Sequence, residues 1–171
     1  MVRTKRTKLG QFFYDITLKA NKFLMKHMWL YYLLNYTWGA ITTILGWIIV
    51  PIVDICTNKA GNENGKFGPC YYVLFGNNWG GLELGTNFLV SGKMGEEYTL
   101  HTKQHETGHS FQNAVWGPLA IFLIYLPSVF RYWYQNIRYN SGLANTKYDL
   151  IWFEGNDSET GKYYYDNYMN K

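Results

Sequence analysis

The chain has 171 residues, enough for one domain with a sizeable core and too few for two ordinary ones. Aromatic residues make up 19% of it and charged residues only 16%, below the roughly 25% of an average soluble domain, which excludes disorder and low-complexity linkers. The net charge of +4 divides unevenly: residues 1–26 carry seven Lys/Arg against Asp15, a balance of +6, and the remainder a balance of −2.

Residues 1–27 read as a basic amphipathic N-terminal segment. A helix is predicted over 9–27, with Phe12, Phe13, Ile16, Leu18, Phe23 and Leu24 set among lysines at helical spacing. The arm is short and lacks a nucleic-acid motif, so no nucleic-acid partner is expected. From Met28 to Val53 there is no formal charge, and only Asn35 and three threonines interrupt the apolar run. About 20 such residues cross a bilayer. The basic flank, with Trp29, Tyr31, Tyr32 and Trp47 near the ends, fits insertion in a cell membrane with the N-terminus cytoplasmic. Segment 28–55 is therefore expected to be a hydrophobic helix long enough to span a membrane, stopped or kinked near Pro51. The plain alternative is a helix or kinked pair buried in a soluble core.

Residues 56–69 are a polar loop by composition. The runs YYVLF (71–75) and LELGTNFLV (82–90), separated by GNNWGG, predict a hairpin: in the second, Leu82, Leu84, Phe88 and Val90 alternate with Glu83 and Asn87. Gly92 and Gly95 bracket another turn. A helix starts at Glu96 or Glu97 and runs to Trp116, ended by Gly117-Pro118. The apolar run 114–130 contains Pro118 and Pro127, and reads as a re-entrant, interfacial or core segment. A polar loop (139–147), a short element (149–154) and a polar, Tyr-rich tail close the chain. The expected fold is α+β: a hairpin before a central helix, mainly helical elsewhere, with one or two hydrophobic helices. Residues 56–171 form its main domain.

The chemistry concentrates in HTKQHETGH, which holds His101, His105 and His109. Its last five residues are HExxH. Four residues make about one helical turn, so His105 and His109 project from one face and can chelate one Zn²⁺. Glu106 lies beside that face, placed to take a proton from a metal-bound water and pass it to a leaving amine. The extended pattern HExxHxxGxxH fails, because Gln112 and Val115 stand where Gly and His are required. The third ligand must come from elsewhere. Glu154, a carboxylate inside the apolar run IWFEG, is the best candidate; a solvated acid at a helix end is the plain alternative. His101 is a ligand or a supporting residue. Asp149, Asp157 and Glu159 are weaker choices.

The runs HETGHSFQNAVWGPL, LPSVFRYWY and YDLIWFEGNDSETG, with the earlier NYTWGAITTILGW, FGPCYY and GNNWGGLELG, resemble a set of mostly uncharacterised bacterial proteins regarded as zinc metallopeptidases. The resemblance covers most of residues 35–161. It implies a gluzincin-like, zincin-fold arrangement with His105, His109 and Glu154 as zinc ligands, Glu106 as catalytic acid/base, and a peptide or protein substrate. Asp157 departs from the family pattern, which has a small residue there; an extra acid three residues after Glu154 can join the metal shell or upset it.

Arg131 and Tyr132 are candidates for holding a substrate carboxylate or oxyanion, and equally for anchoring at a membrane interface. Gln112 can line the cleft or bond to backbone. Cys56 and Cys70, without CxxC spacing, point to a structural role, bridged or not. Two functions are expected to compete: a membrane-associated zinc peptidase, and a non-catalytic metal-binding accessory or immunity-type membrane protein on the same scaffold. An intramembrane protease fits less well, because residues 96–113 are too polar for lipid.

Overall fold

A computed structural model describes residues 5–58, 63–76, 79–92, 94–143 and 147–170. Parts of the expected arm (Arg3), of the loop after residue 58, of the turns through Asn77, Asn78 and Lys93, and of the loop at 144–146 lie outside the described residues. The fold is α+β, mostly helical around one small sheet. In chain order come α1 (Lys8–Lys26), α2 (Met28–Tyr36), α3 (Ala40–Asn58), β1 (Asn64–Phe67), β2 (Cys70–Leu74), β3 (Gly81–Leu84), β4 (Asn87–Val90) and α4 (Glu96–Trp116). A π-helical turn (Ile121–Tyr125) then leads into α5 (Leu126–Asn140), and a 3₁₀ turn (Tyr148–Leu150) precedes α6 (Trp152–Tyr164), which runs on into a second π turn (Tyr165–Met169).

The expected hairpin is corrected. Run 82–90 does not form one strand but folds back on itself at Gly85-Thr86, so that β3 pairs antiparallel with β4, Glu83 opposite Phe88. β2 runs parallel to β4, with Tyr72 beside Phe88, and makes its hairpin with β1, a strand inside the region read as polar loop. The order is β1-β2-β4-β3, leaving β3 at an edge. Gly85 has φ +71° and its α-carbon presses against Thr43 of α3, so the turn needs a residue without a Cβ. Two residues of period-two alternation on either side of that turn look continuous in sequence and are opposed in space.

Segment 28–55 is not one helix. It breaks at Thr37–Gly39 into α2 and α3, because Gly39 lies against Asn113 and leaves no room for a side chain there. The polar atoms that interrupt the apolar run hold the corner: Asn113 donates to Asn35 Oδ1 (2.7 Å) and to Gly39 O (3.2 Å), and Thr42 Oγ1 donates to Asn113 Oδ1 (2.6 Å). α3 passes through Pro51 to Asn58 without stopping. One lost helical hydrogen bond there is outweighed by the packing of Val50 on Val73 and Leu89 of the sheet. α4 and the last turn of the chain cover the other face, Leu100, Tyr165 and Met169 against Phe67, Tyr72, Phe88 and Val90.

The N-terminal helix turns a different face inward from the apolar one. Tyr14, Thr17, Asn21, Leu24 and Met25 are buried, whereas Phe12, Ile16 and Phe23 are exposed. Hydrogen bonds select that face: Asn21 donates to Asn156 and Thr160 of α6, and Thr17 accepts from Trp116. The run 114–130 breaks at Gly117 (φ +51°), then packs Ala120 and Ile124 on Phe153 while Phe122 and Phe130 stay exposed. The short element and the polar, Tyr-rich tail are a 3₁₀ turn, helix α6 and its π extension. Both cysteines are free, Cys56 exposed and Cys70 buried. Among the described residues one helix is long and apolar enough to cross a membrane, Ala40–Thr57, with a mean hydropathy of 1.9 and only 22% of the window buried.

Candidate metal centre

Two helices meet to form the centre. α4 contributes His105 and His109, one turn apart, and α6 contributes Glu154 and Asp157, three residues apart and so on one face. The helices approach closely through glycines. A Cβ on Gly108 would strike the backbone of Asp157, and one on Gly161 the backbone of Gln104. That closeness brings one atom each of His105, His109, Glu154 and Asp157 within 4.8 Å of one another. His105 Nε2 is 3.3 Å from Glu154 Oε2 and 3.3 Å from Asp157 Oδ2; His109 Nε2 is 3.8 Å and 2.5 Å from the same two oxygens.

The surroundings orient the donors. Gln112 Nε2 is committed to Phe153 O (2.8 Å) and Asn156 Oδ1 (3.0 Å), so its Oε1 must accept from Nδ1–H of His109 (2.9 Å). This fixes the tautomer that leaves Nε2 free for a metal. His105 Nδ1 lies 3.0 Å from Ser158 Oγ. Both oxygens of Glu154 and Oδ2 of Asp157 are buried, with the facing imidazoles and, for Glu154, Ser128 as their polar partners. Buried carboxylates in that state call for a cation, and two imidazole Nε2 atoms with two carboxylates are a donor set that suits zinc and other divalent metals.

The same crowding sets the proton affinities. Burial lowers that of His105, but Asp157 and Glu154 outweigh it and carry its pKa up to about 9; His109 is held well above its usual range in the same way. Burial raises Glu154, yet the two histidines bring it below the ordinary value, while for Asp157 burial wins. Glu106 stands outside the four-donor group. Its carboxylate lies against Gly81 at the start of β3, where no Cβ would fit. Burial raises Glu106 to about 7, with His105 and His109 pulling down and Asp157 and Glu154 pushing up. A carboxyl poised near neutrality suits general acid–base work.

A cleft of about 720 Å³ opens over the centre, walled by the edge strand β3, by α4 and by Tyr125, Ser128, Tyr132 and Trp133. His101 is exposed on its rim, its ring 6.4 Å from that of His105, and is not one of the four donors. Arg131 is half-buried on α5 and is not among the residues lining the cleft, whereas Tyr132 beside it is. Gln112 reaches backbone and His109 together. Asp157, ranked by sequence behind Glu154, makes the shortest contact to His109, and its signal is the i, i+3 spacing from Glu154. Glu83 and Tyr125 are cleft residues that sequence reasoning misses. The available signal is an acid inside an otherwise apolar strand. No protein-family model, curated protein or solved structure matches the chain.

Proposed function

We propose that the chain is a membrane-associated zinc metallopeptidase with a zincin-like, gluzincin-like site. The observation that carries the reading is the convergence of His105, His109 and Glu154 beneath an open cleft, with Glu106 adjacent and outside the donor set. Zinc held there would supply the Lewis acid that polarises a peptide carbonyl and acidifies water. Glu106 takes the proton of the attacking water and delivers it to the departing amine; its pKa of about 7 allows both transfers near neutral pH. The edge strand β3 gives an extended peptide a backbone to pair with beside the scissile bond.

The membrane part of the reading rests on exposed apolar side chains. Ile41, Ile44, Trp47, Ile48, Ile52 and Ile55 of α3 all face outward, as do Phe122, Phe130 and Trp133 around α5. A helix buried in a soluble core would hide such residues; lipid accommodates them.

One observation favours the second reading, a non-catalytic metal protein. Asp157 supplies a fourth donor, the number that a closed structural site uses. Metal analysis of the purified, reconstituted chain separates the two. The peptidase reading expects about one zinc per chain, retention of zinc with loss of peptide hydrolysis in Glu106→Gln, and retention of zinc in Asp157→Ala. Loss of zinc in Asp157→Ala together with an inert wild type establishes the structural reading, and a wild type that takes up no metal overturns both.

A further inference from the structure

We infer that Glu83, with the hydroxyl of Tyr125, forms an ammonium-binding subsite in the cleft wall, and that the substrate places a positively charged amino group there. The inference deepens the peptidase reading and rests on it for the word substrate.

Glu83 is 3% exposed, on the edge strand β3. Its pairing opposite Phe88 puts its side chain on the sheet face that looks toward α4, so it lines the same cleft as Glu106, His109 and Tyr125. Neither carboxylate oxygen has a well-directed hydrogen bond, nor has the buried Tyr125 hydroxyl. The Tyr125 hydroxyl and the Gly85 backbone face the Glu83 carboxyl, and Thr42 faces the Tyr125 hydroxyl, but none of these contacts is well directed, so the carboxyl lacks a full set of donors. An ammonium, with three N–H donors in a compact charged head, matches that need. A neutral amide would leave Glu83 protonated and gain no ion pair, and a carboxylate would meet no cation there.

The charge of the whole cleft agrees. Glu83, Glu106 and Asp149 line it, and none of its described lining residues is Lys or Arg. Glu154 and Asp157 can balance a divalent ion at the centre, which leaves Glu83 and Glu106 as the cleft carboxyls that a second cation would ionise. Glu83 is not within the four-donor group, so its carboxyl is available to a ligand. Burial, more than any neighbour, lifts the Glu83 carboxyl to about 8 in the unliganded chain, and a cation seated on it reverses that. A free peptide N-terminus and a lysine side chain carry the same chemistry, and the test distinguishes them.

The test is calorimetric titration of the zinc-reconstituted full chain with two matched pairs of ligands. Leucine methylamide against N-acetyl-leucine methylamide probes the α-amino group; N-acetyl-lysine methylamide against N-acetyl-norleucine methylamide probes the ε-amino group. One amine is expected to bind at least about tenfold more tightly than its neutral counterpart, and the pair that does so identifies the source. Glu83→Gln should erase that preference while leaving zinc content and binding of the neutral ligand unchanged. Equal binding within both pairs overturns the inference on the wild type alone, whether or not the variant folds. An amine preference in a chain that hydrolyses no peptide defeats the peptidase reading and keeps the subsite. Hydrolysis of capped, neutral peptides with no amine preference keeps the peptidase and defeats the subsite.

Discussion

The interface between α4 and α6 is polar, whereas the outer sides of α3 and α5 are apolar, which inverts the usual arrangement of a small protein. Asn21, Gln112, Asn113, Glu154, Asn156 and Asp157 are buried, while Trp47, Ile48, Phe122 and Trp133 are exposed. The interior groups survive burial because most are wired to one another: Gln112 to His109, Phe153 and Asn156, Asn156 to Asn21 and to Tyr14 O, Asn113 to Asn35 and Thr42. Such a network is worth having only when nearly complete. Among the buried groups left without a well-directed bond are the carboxylates at the metal centre and Glu83, where chemistry is expected, beside a few others such as Asn21 Oδ1 and Ser91 Oγ. The outer faces have no counterpart among the described residues. One region is thus built to hold a charge, and the other, on the membrane reading proposed above, to lie in an apolar medium.

The polar side breaks most severely at a metal donor. His109→Ala should lose zinc by far more than the ~10–100-fold that removing an outer hydrogen-bond partner costs, measured by chelator competition. Next in size is the pH dependence owed to Glu83. Its carboxyl titrates at about 8 in the folded chain against an ordinary 4.5. The folded state keeps a proton that the unfolded state has lost, so stability falls as pH rises between those values, by on the order of 4 kcal/mol for this group. Denaturation of the metal-free chain at pH 5 and pH 8.5 should show the fall, and Glu83→Gln should remove this share of it.

Asn113→Leu tests the corner between α2 and α3. It leaves Asn35 Oδ1 without its donor, while Thr42 Oγ1 still donates to Gly39 O, and a loss of about 1–3 kcal/mol is expected in denaturation of detergent-solubilised protein. The apolar side should respond in the opposite manner. Ile48→Lys with Ile52→Lys, one turn apart and both more than half exposed, should change stability in detergent by no more than about 0.5 kcal/mol each. The same pair should move the chain from the carbonate-resistant membrane fraction into the wash. Retention in the membrane would show that this face is not the one that meets lipid.

The central helix was legible because its signals are local: two acids in its first turn, Gly117-Pro118 at its end, and a four-residue histidine spacing. Glu154 was legible as a charge out of place in IWFEG, and the fold brings it to both histidines. The β3–β4 turn was hidden, since Gly85 falls where alternation continues unbroken and the exclusion of a Cβ there comes from contact with Thr43, a residue 42 positions away. The break at Gly39 was hidden for the same reason, its cause being Asn113. The inward face of α1 defied hydropathy because Asn21 and Thr17 are selected by hydrogen bonds to α6 and Trp116, which no periodicity records. Glu83 reads in sequence as an ordinary polar face, and only the pairing with Phe88 turns it into the cleft.

The glycines between α4 and α6 have a further consequence. Gly108 sits between the two histidines, and Gly161 lies one turn beyond the carboxylates' own stretch of α6, each pressed on the main chain opposite. Neither carries a donor atom, yet together they act as the stops of a calliper whose jaws are the imidazoles on one side and the carboxylates on the other. The opening of that calliper is set by main chain touching main chain, which cannot yield as a flexible side chain can. Were an ion held there, discrimination by radius would be delegated to two residues that never touch it, and a single methyl group at either of them would re-gauge the centre without altering any of its donors.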